Sequence, residues 1–265
     1  MYLTPSSSSR GGPRAAPALQ LAPGDVHVWC AGLNVEPETS ARLYATLTPA
    51  ERNRSARFHF EPDRQRFIIA HGVLRDLLAR YLQCEPGEMS FVYNAFGKPD
   101  LGPEFGSRLT FSLSHSADLA VIAVATGSSV GVDVEYIRAG SDYAAIAQRF
   151  FAAAEIDYLT ALPSHLFVDA FFSCWTKKEA WVKACGEGLA IPLHSFSVPL
   201  TPESDPSADV CVAANDILPA KRWSVYTLRP APGYAGALAI EGSGWRLRQR
   251  QWKRPRAQAS AVSGP

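Results

Sequence analysis

The sequence predicts an α+β fold, with a hint of two similar halves. Apolar residues recur at helical spacing in two long segments, near residues 62–82 and 166–184. Short apolar or alternating runs of strand length lie between and after them. Arg57-Phe58 ahead of Glu61 and a long helix is echoed by Arg149-Phe150 ahead of Glu155 and a second long helix, which hints at duplication of one α+β unit.

The elements follow in order. Ser6 to Ser9, Gly11, Gly12, Pro13 and Pro17 make the start Ser/Gly/Pro-rich, so residues 1–24 are expected to be a disordered tail. A strand is expected over 26–30. Thr48-Pro49-Ala50-Glu51 is a strong helix start: Thr48 caps, Pro49 suits the first turn and Glu51 completes a capping box. The helix over 62–82 carries Phe67, Ala70, Val73, Leu74, Leu77 and Leu78 on one stripe. Strands are expected over 90–93, 109–113, 119–125 and 130–136. Helices follow over 142–150, 152–161 and 166–184, with Gly186 and Gly188 ending the last. Short strands over 196–198, 210–213, 223–228 and 234–240 complete the chain, the last two joined by a Pro/Gly turn. This places an N-terminal subdomain at 25–129 and a C-terminal one, with the metal site, at 130–245. Residues 246–265 are basic and are expected to be a flexible tail.

Composition narrows the function. The 265 residues are 47% hydrophobic and 19% charged, enough for a substantial core. A net charge of +1 argues against a dedicated nucleic-acid binder. Cys30, Cys84, Cys174, Cys185 and Cys211 are odd in number and lack a C-x-x-C pair, as expected of thiols in a reducing compartment. The longest apolar run, 119–125, is far short of the roughly 20 residues a bilayer span needs. The N-terminus has no apolar signal-peptide core. A cytoplasmic location is expected.

Chemistry concentrates in two motifs. In Gly131-Val132-Asp133-Val134-Glu135, strand alternation puts both carboxylates on one face and both valines toward the core. Their Cα atoms should lie roughly 6–7 Å apart, within reach of one hard cation such as Mg²⁺. In Trp175-Thr176-Lys177-Lys178-Glu179-Ala180-Trp181-Val182-Lys183, Glu179 and Lys183 sit together on the border of an apolar stripe. An ordinary surface pair is the plain alternative. Lys178 falls inside the stripe, so its head should meet an anion or snorkel to solvent. Lys98 in Phe96-Gly97-Lys98-Pro99, and Ser112, Ser114, His115 and Ser116 ending a strand, would suit phosphate oxygens. No nucleophile elbow surrounds Ser114. His27, His59, His71, His165 and His194 show no metal spacing and are read as structural.

These motifs, in this order over roughly residues 48–198, resemble the 4′-phosphopantetheinyl transferases, most nearly the longer, monomeric type acting on surfactin synthetase and related carrier proteins. The resemblance implies a pseudo-two-fold pair of similar α+β subdomains with the active site, a coenzyme A site, in the cleft between them. It implies transfer of the 4′-phosphopantetheine arm to a serine of an apo acyl or peptidyl carrier protein, with release of adenosine 3′,5′-bisphosphate. By matching position, Asp133, Glu135 and Glu179 would hold Mg²⁺, and Glu179 would serve as, or orient, the base. Lys178 and Lys183 would face the pyrophosphate; Lys98, Ser114, His115 and Arg54 would hold the nucleotide phosphates. One departure stands out: Glu51 lies where the surfactin-type enzyme has a lysine, leaving Arg54 the better candidate for the 3′-phosphate. A non-catalytic binder of coenzyme A or carrier protein and a Mg²⁺-dependent phosphohydrolase are the competing readings.

Overall fold

The computed structural model describes residues 18–200, 209–210 and 222–253. In chain order the elements are β1 (Asp25–Gly32), α1 (Pro37–Thr46), α2 (Pro49–Ser55), α3 (Glu61–Leu82), β2 (Phe91–Tyr93), β3 (Pro99–Leu101), β4 (Leu109–Ser116), β5 (Leu119–Thr126), β6 (Val130–Tyr136), α4 (Tyr143–Phe150), α5 (Ala153–Ala161), α6 (Ser164–Cys185), β7 (Asp209–Val210), β8 (Trp223–Leu228), β9 (Tyr234–Glu241) and β10 (Arg246–Gln251).

Two four-stranded sheets stack between two long helices. The first runs β10-β1-β5-β4 and the second β6-β9-β8-β7, while β2 and β3 form a separate hairpin. Strand alternation explains the layering. Val26, Val28, Val121 and Ala123 of the first sheet pack against Val130, Val132, Val134 and Leu238 of the second, making the central core. The opposite face of the first sheet offers Trp29, Ala31, Ile122 and Val124 to Val73, Leu74 and Leu77 of α3. The opposite face of the second offers Val225, Ala237 and Ala239 to Phe171, Cys174 and Trp181 of α6. Each large apolar side chain so buried contributes about 1.5–3 kcal/mol.

The halves match. Strand order β1-β5-β4 repeats as β6-β9-β8, each half carrying its long helix on the outer face. The residues carrying the repeat differ from the Arg-Phe pairs. Glu51 closes a capping box at α2 and pairs with Arg75 of α3 at 2.8 Å. Glu155 caps α5 by accepting from the Ala152 N–H and pairs with Lys178 of α6 at 2.7 Å.

Strands β4 and β6 meet edge to edge through side chains. The N–H groups of Val132, Val134 and Tyr136 donate to Ser112, Ser114 and Ser116 Oγ at 3.1, 3.4 and 3.1 Å. Alternate serine hydroxyls thus stand in for a ladder of carbonyls, and the two sheets join along this seam.

Several expectations need correction. Residues 246–251 are a strand, not part of a flexible tail: β10 pairs in parallel with β1. Arg246 is anchored to Asp25 at 2.7 Å, and buried Trp252 donates its indole N–H to Asp76 at 2.9 Å. Residues 18–24 are also in place, with the Leu19 N–H bonded to the Arg80 carbonyl; residues 1–17 lie outside the described residues. The expected strand over 196–198 has no ladder, because side chains satisfy its backbone. Phe196 O accepts from Lys178 and the Val198 N–H donates to Glu155. Of the expected strand over 210–213, residues 211–213 lie outside the described residues. Helix α1 and strand β3 were not foreseen.

Candidate functional site

The site forms where α6 crosses β6, and Gly131 permits the crossing. A Cβ at Gly131 would lie 2.0 Å from the Ala180 carbonyl oxygen and 2.4 Å from the Ala184 nitrogen. Helix and strand backbones therefore touch, which brings Glu179 and Lys183 against the carboxylate face of β6. Helix α6 ends at Gly186, whose φ of 78° suits glycine. The Asn94 side-chain amide donates to the Gly186 carbonyl at 2.7 Å, tying the β2–β3 hairpin to the helix end.

Asp133 is 3% exposed and sits at the centre. The Lys183 ammonium donates to Asp133 Oδ1 at 2.6 Å and to Ser114 Oγ at 2.9 Å, and the Ser114 hydroxyl donates to the same Asp133 oxygen at 2.8 Å. Next along the strand, Ser116 donates to Glu135 Oε2 at 2.7 Å. The seam serines thus orient both carboxylates. Burial raises the pKa of Glu135, with the Asp133 charge adding to it against the Ser116 hydrogen bond and Lys183. Burial raises Glu179 too, reinforced by Asp133 and Glu135 and opposed by Lys183.

Glu179 and Lys183 open onto a cavity of about 390 Å³ between the halves. The N-terminal half lines it with Arg54, His71, Leu74, Phe91, Phe111 and Ser112, and the hairpin adds Tyr93, Phe96 and Lys98. The lining mixes cationic side chains, Arg54, Lys98 and Lys183, with the rings of Phe91, Phe96 and Phe111, which suits a ligand with anionic groups and an apolar or heteroaromatic part.

Not every expected residue stands where the motifs put it. Lys178 does not face this cavity. It is fully buried on the opposite side of α6, donating to the Leu193 and Phe196 carbonyls at 2.8 and 2.6 Å and paired with Glu155. Its head does meet an anion, an internal one. Ser114 is buried and has committed its single proton to Asp133, so it has none to offer a phosphate. Lys98 lines the cavity but donates to the Ala184 and Val130 carbonyls at 2.9 and 3.3 Å, and burial lowers its pKa. His115 keeps an open edge, yet surrounding protein strips enough water, with His71, Lys183 and Arg66 nearby, to push its pKa down to about 4. Arg54 lines the cavity, 5.5 Å above the Phe67 ring.

The three acids expected to converge on a metal do not close on one point: among the described residues no three His, Cys, Asp or Glu side chains form such a group. Lys183 and Ser114 hold one oxygen of Asp133, and Ser116 holds Glu135. The donor set still fits a hard divalent cation. Asp133 Oδ2 is buried without any hydrogen-bond partner, and the mutual repulsion of the carboxylates asks for a positive charge among them.

His71, read as structural, lines the cavity four residues after Phe67 on α3, a position the sequence reading did not foresee. The sequence reading also missed that Ser112, Ser114 and Ser116, at strand spacing, form a seam.

Fold and site define an α+β protein of two matched halves with an acid–lysine centre at their junction. Residues 129–239 match the 4′-phosphopantetheinyl transferase superfamily, and residues 35–127 match the family described as 4′-phosphopantetheinyl transferase, N-terminal. The chain is 39% identical over 231 residues to the 4′-phosphopantetheinyl transferase HetI of Nostoc sp. (strain PCC 7120), covering 86% of this chain and 93% of that protein. It is 30% identical over 173 residues to the 4′-phosphopantetheinyl transferase Sfp of Bacillus subtilis (strain 168), covering 65% and 75%. A phosphopantetheinyl transferase of Thraustochytrium sp. is 28% identical over 197 residues, covering 69% and 68%. The chain belongs to the 4′-phosphopantetheinyl transferase family, and it is an enzyme of that kind.

Proposed function

We propose that the chain transfers the 4′-phosphopantetheine arm of coenzyme A to a serine hydroxyl of an apo acyl or peptidyl carrier protein, in a Mg²⁺-dependent reaction that releases adenosine 3′,5′-bisphosphate. The observation that carries this reading is the Lys183–Asp133–Ser114 cluster, whose Lys183 lines, with Glu179, a cavity of mixed cationic and aromatic character.

The carrier serine oxygen forms a bond to the β-phosphorus of coenzyme A. The bond from that phosphorus to the bridging oxygen breaks, and the electron pair leaves with the nucleotide. Such transfers need positioning and charge neutralisation above all. Asp133, Glu135 and Glu179 would hold Mg²⁺, which when bound neutralises charge on the diphosphate. Lys183 supplies a cation that is already held in place, at no reorganisation cost when the nucleotide arrives. Glu179, which lines the cavity beside Lys183, would serve as, or orient, the base that takes the serine proton. A cytoplasmic monomer is part of the same reading.

Incubation with coenzyme A, Mg²⁺ and an apo carrier domain, followed by intact-mass analysis and nucleotide chromatography, tests it. A heavier carrier and an equal amount of adenosine 3′,5′-bisphosphate are expected. Consumption of coenzyme A with an unchanged carrier would make the protein a hydrolase, and no consumption would make it a binder.

A further inference from the structure

Strand β10 ends the first sheet, and only one of its edges is paired. The Arg246 N–H donates to the Gly24 carbonyl and the Trp252 N–H to the Cys30 carbonyl, both at 2.8 Å. Main-chain groups alternate in direction along a strand, so residues 246, 248, 250 and 252 turn their backbone toward β1. Leu247, Gln249 and Gln251 turn theirs outward, and among the described residues no strand pairs with that edge. A row of outward N–H and C=O groups is a template for a further strand.

The side chains say what such a strand would carry. In the parallel register Arg246, Arg248 and Arg250 lie beside Asp25, His27 and Trp29, on the face turned to α3. All three arginines are exposed. One carboxylate serves them: Asp25 accepts from Arg246 Nε at 2.7 Å and lies 3.6 Å from Arg248 Nε. Arg250 meets no carboxylate among the described residues. Its guanidinium lies 5.6 Å from the centre of the Trp29 ring and 3.5 Å from His27 Nε2. Positive charge is left over, repeating at about 7 Å along the strand.

That surplus argues against a second copy of the chain, because two β10 edges paired together would set arginine against arginine. Single-stranded nucleic acid is poorly served as well. Its bases need exposed rings to stack on, and Trp29 and Trp252 are only 5% and 8% exposed. We propose that the outer edge of β10 binds an extended acidic segment of a partner protein as an added strand. The segment's backbone pairs with Leu247, Gln249 and Gln251, and its Asp or Glu at every second position meets Arg248 and Arg250. The sheet order sets β10 at the opposite end from β4, whose serines hold the carboxylates of the site. The surface is therefore separate from the cavity, and its occupation leaves carrier charging intact.

Fluorescence anisotropy of a labelled peptide alternating glutamate and threonine measures binding to the full chain, and amide hydrogen exchange locates it. In the free protein the N–H groups of Leu247, Gln249 and Gln251 should exchange fast, and bound peptide should protect them. Arg248→Gln combined with Arg250→Gln should weaken binding roughly tenfold, with melting temperature and carrier charging like wild type, and added salt should weaken wild-type binding. A peptide N-methylated at the amides that face β10 keeps its charge and should lose binding to the wild-type protein. No binding, unchanged affinity in the double variant, protection confined to other residues, or undiminished binding of the methylated peptide would each overturn the proposal. Tighter binding of an oligothymidylate of equal charge would overturn it in favour of a nucleic acid.

Discussion

Gly131→Ala probes the contact on which the site is built. The added methyl would sit 2.0 Å from the Ala180 oxygen and 2.4 Å from the Ala184 nitrogen, where real Cβ atoms keep at least 3.0 Å. Both obstacles are helix backbone, so no side chain can swing aside. Helix α6 and β6 must separate by about 1 Å to admit the methyl. Glu179 and Lys183 immediately precede the two obstructing residues, so they move with them, away from Asp133. Overpacking of this kind costs about 1–3 kcal/mol, or roughly 2–12 °C in melting temperature for a chain of this size. The catalytic effect is larger, since a misplacement of about 1 Å costs on the order of 100-fold in rate. Thermal unfolding read beside the initial rate of carrier charging separates the two effects. Wild-type melting with wild-type turnover would refute the reasoning, for it would mean that helix and strand have slack the structure does not contain.

Other perturbations test other parts of the account. Lys178→Met strips the partner from buried Glu155 and should cost about 3–5 kcal/mol in urea unfolding, while the folded fraction keeps its kcat; normal stability with lost turnover would restore Lys178 to the chemistry. Ser114→Ala removes the hydroxyl shared by Lys183 and Asp133 and should lower kcat roughly tenfold with little change in KM for coenzyme A. A raised KM with unchanged kcat would instead make Ser114 a phosphate ligand. Buried His27 has its pKa lowered from 6.5 to about 4, chiefly by burial. A group held neutral in the fold contributes its full stability above pH 6.5 and loses it as pH falls toward 4, by at most about 3 kcal/mol. His27→Gln should flatten that part of the stability–pH curve; an unchanged slope would assign it to other groups.

Local pattern and chemistry made much of this legible in advance. Thr48 and Glu51 announced a capping box, and they form one. The alternation of Gly131-Val132-Asp133-Val134-Glu135 put Val132 and Val134 into the core, where both are fully buried. Lys178 inside an apolar stripe called for an anion or an escape to solvent, and nothing local pointed to Glu155 on another helix. The helical wheel set Lys178 inside the stripe and Lys183 on its border; the resemblance alone placed both at the pyrophosphate, though they serve opposite sides of α6. Strand β10 was missed for a related reason. Arg246-Leu247-Arg248-Gln249-Arg250-Gln251 reads as a solvated basic run until β1, more than two hundred residues earlier, supplies the ladder and Asp25 the counter-charge. The buried Trp252 that follows was the overlooked signal.

The central claim is that Asp133, fixed by Ser114 and Lys183, anchors the charge that makes coenzyme A reactive toward a carrier serine. Intact-mass measurement of an apo carrier domain, with wild type and Asp133→Asn compared at equal folded concentration in coenzyme A and Mg²⁺, addresses it most directly. The account predicts one phosphopantetheine arm per carrier with wild type and none on the same timescale with the variant, whose melting temperature stays close to wild type. Full charging by Asp133→Asn would contradict it.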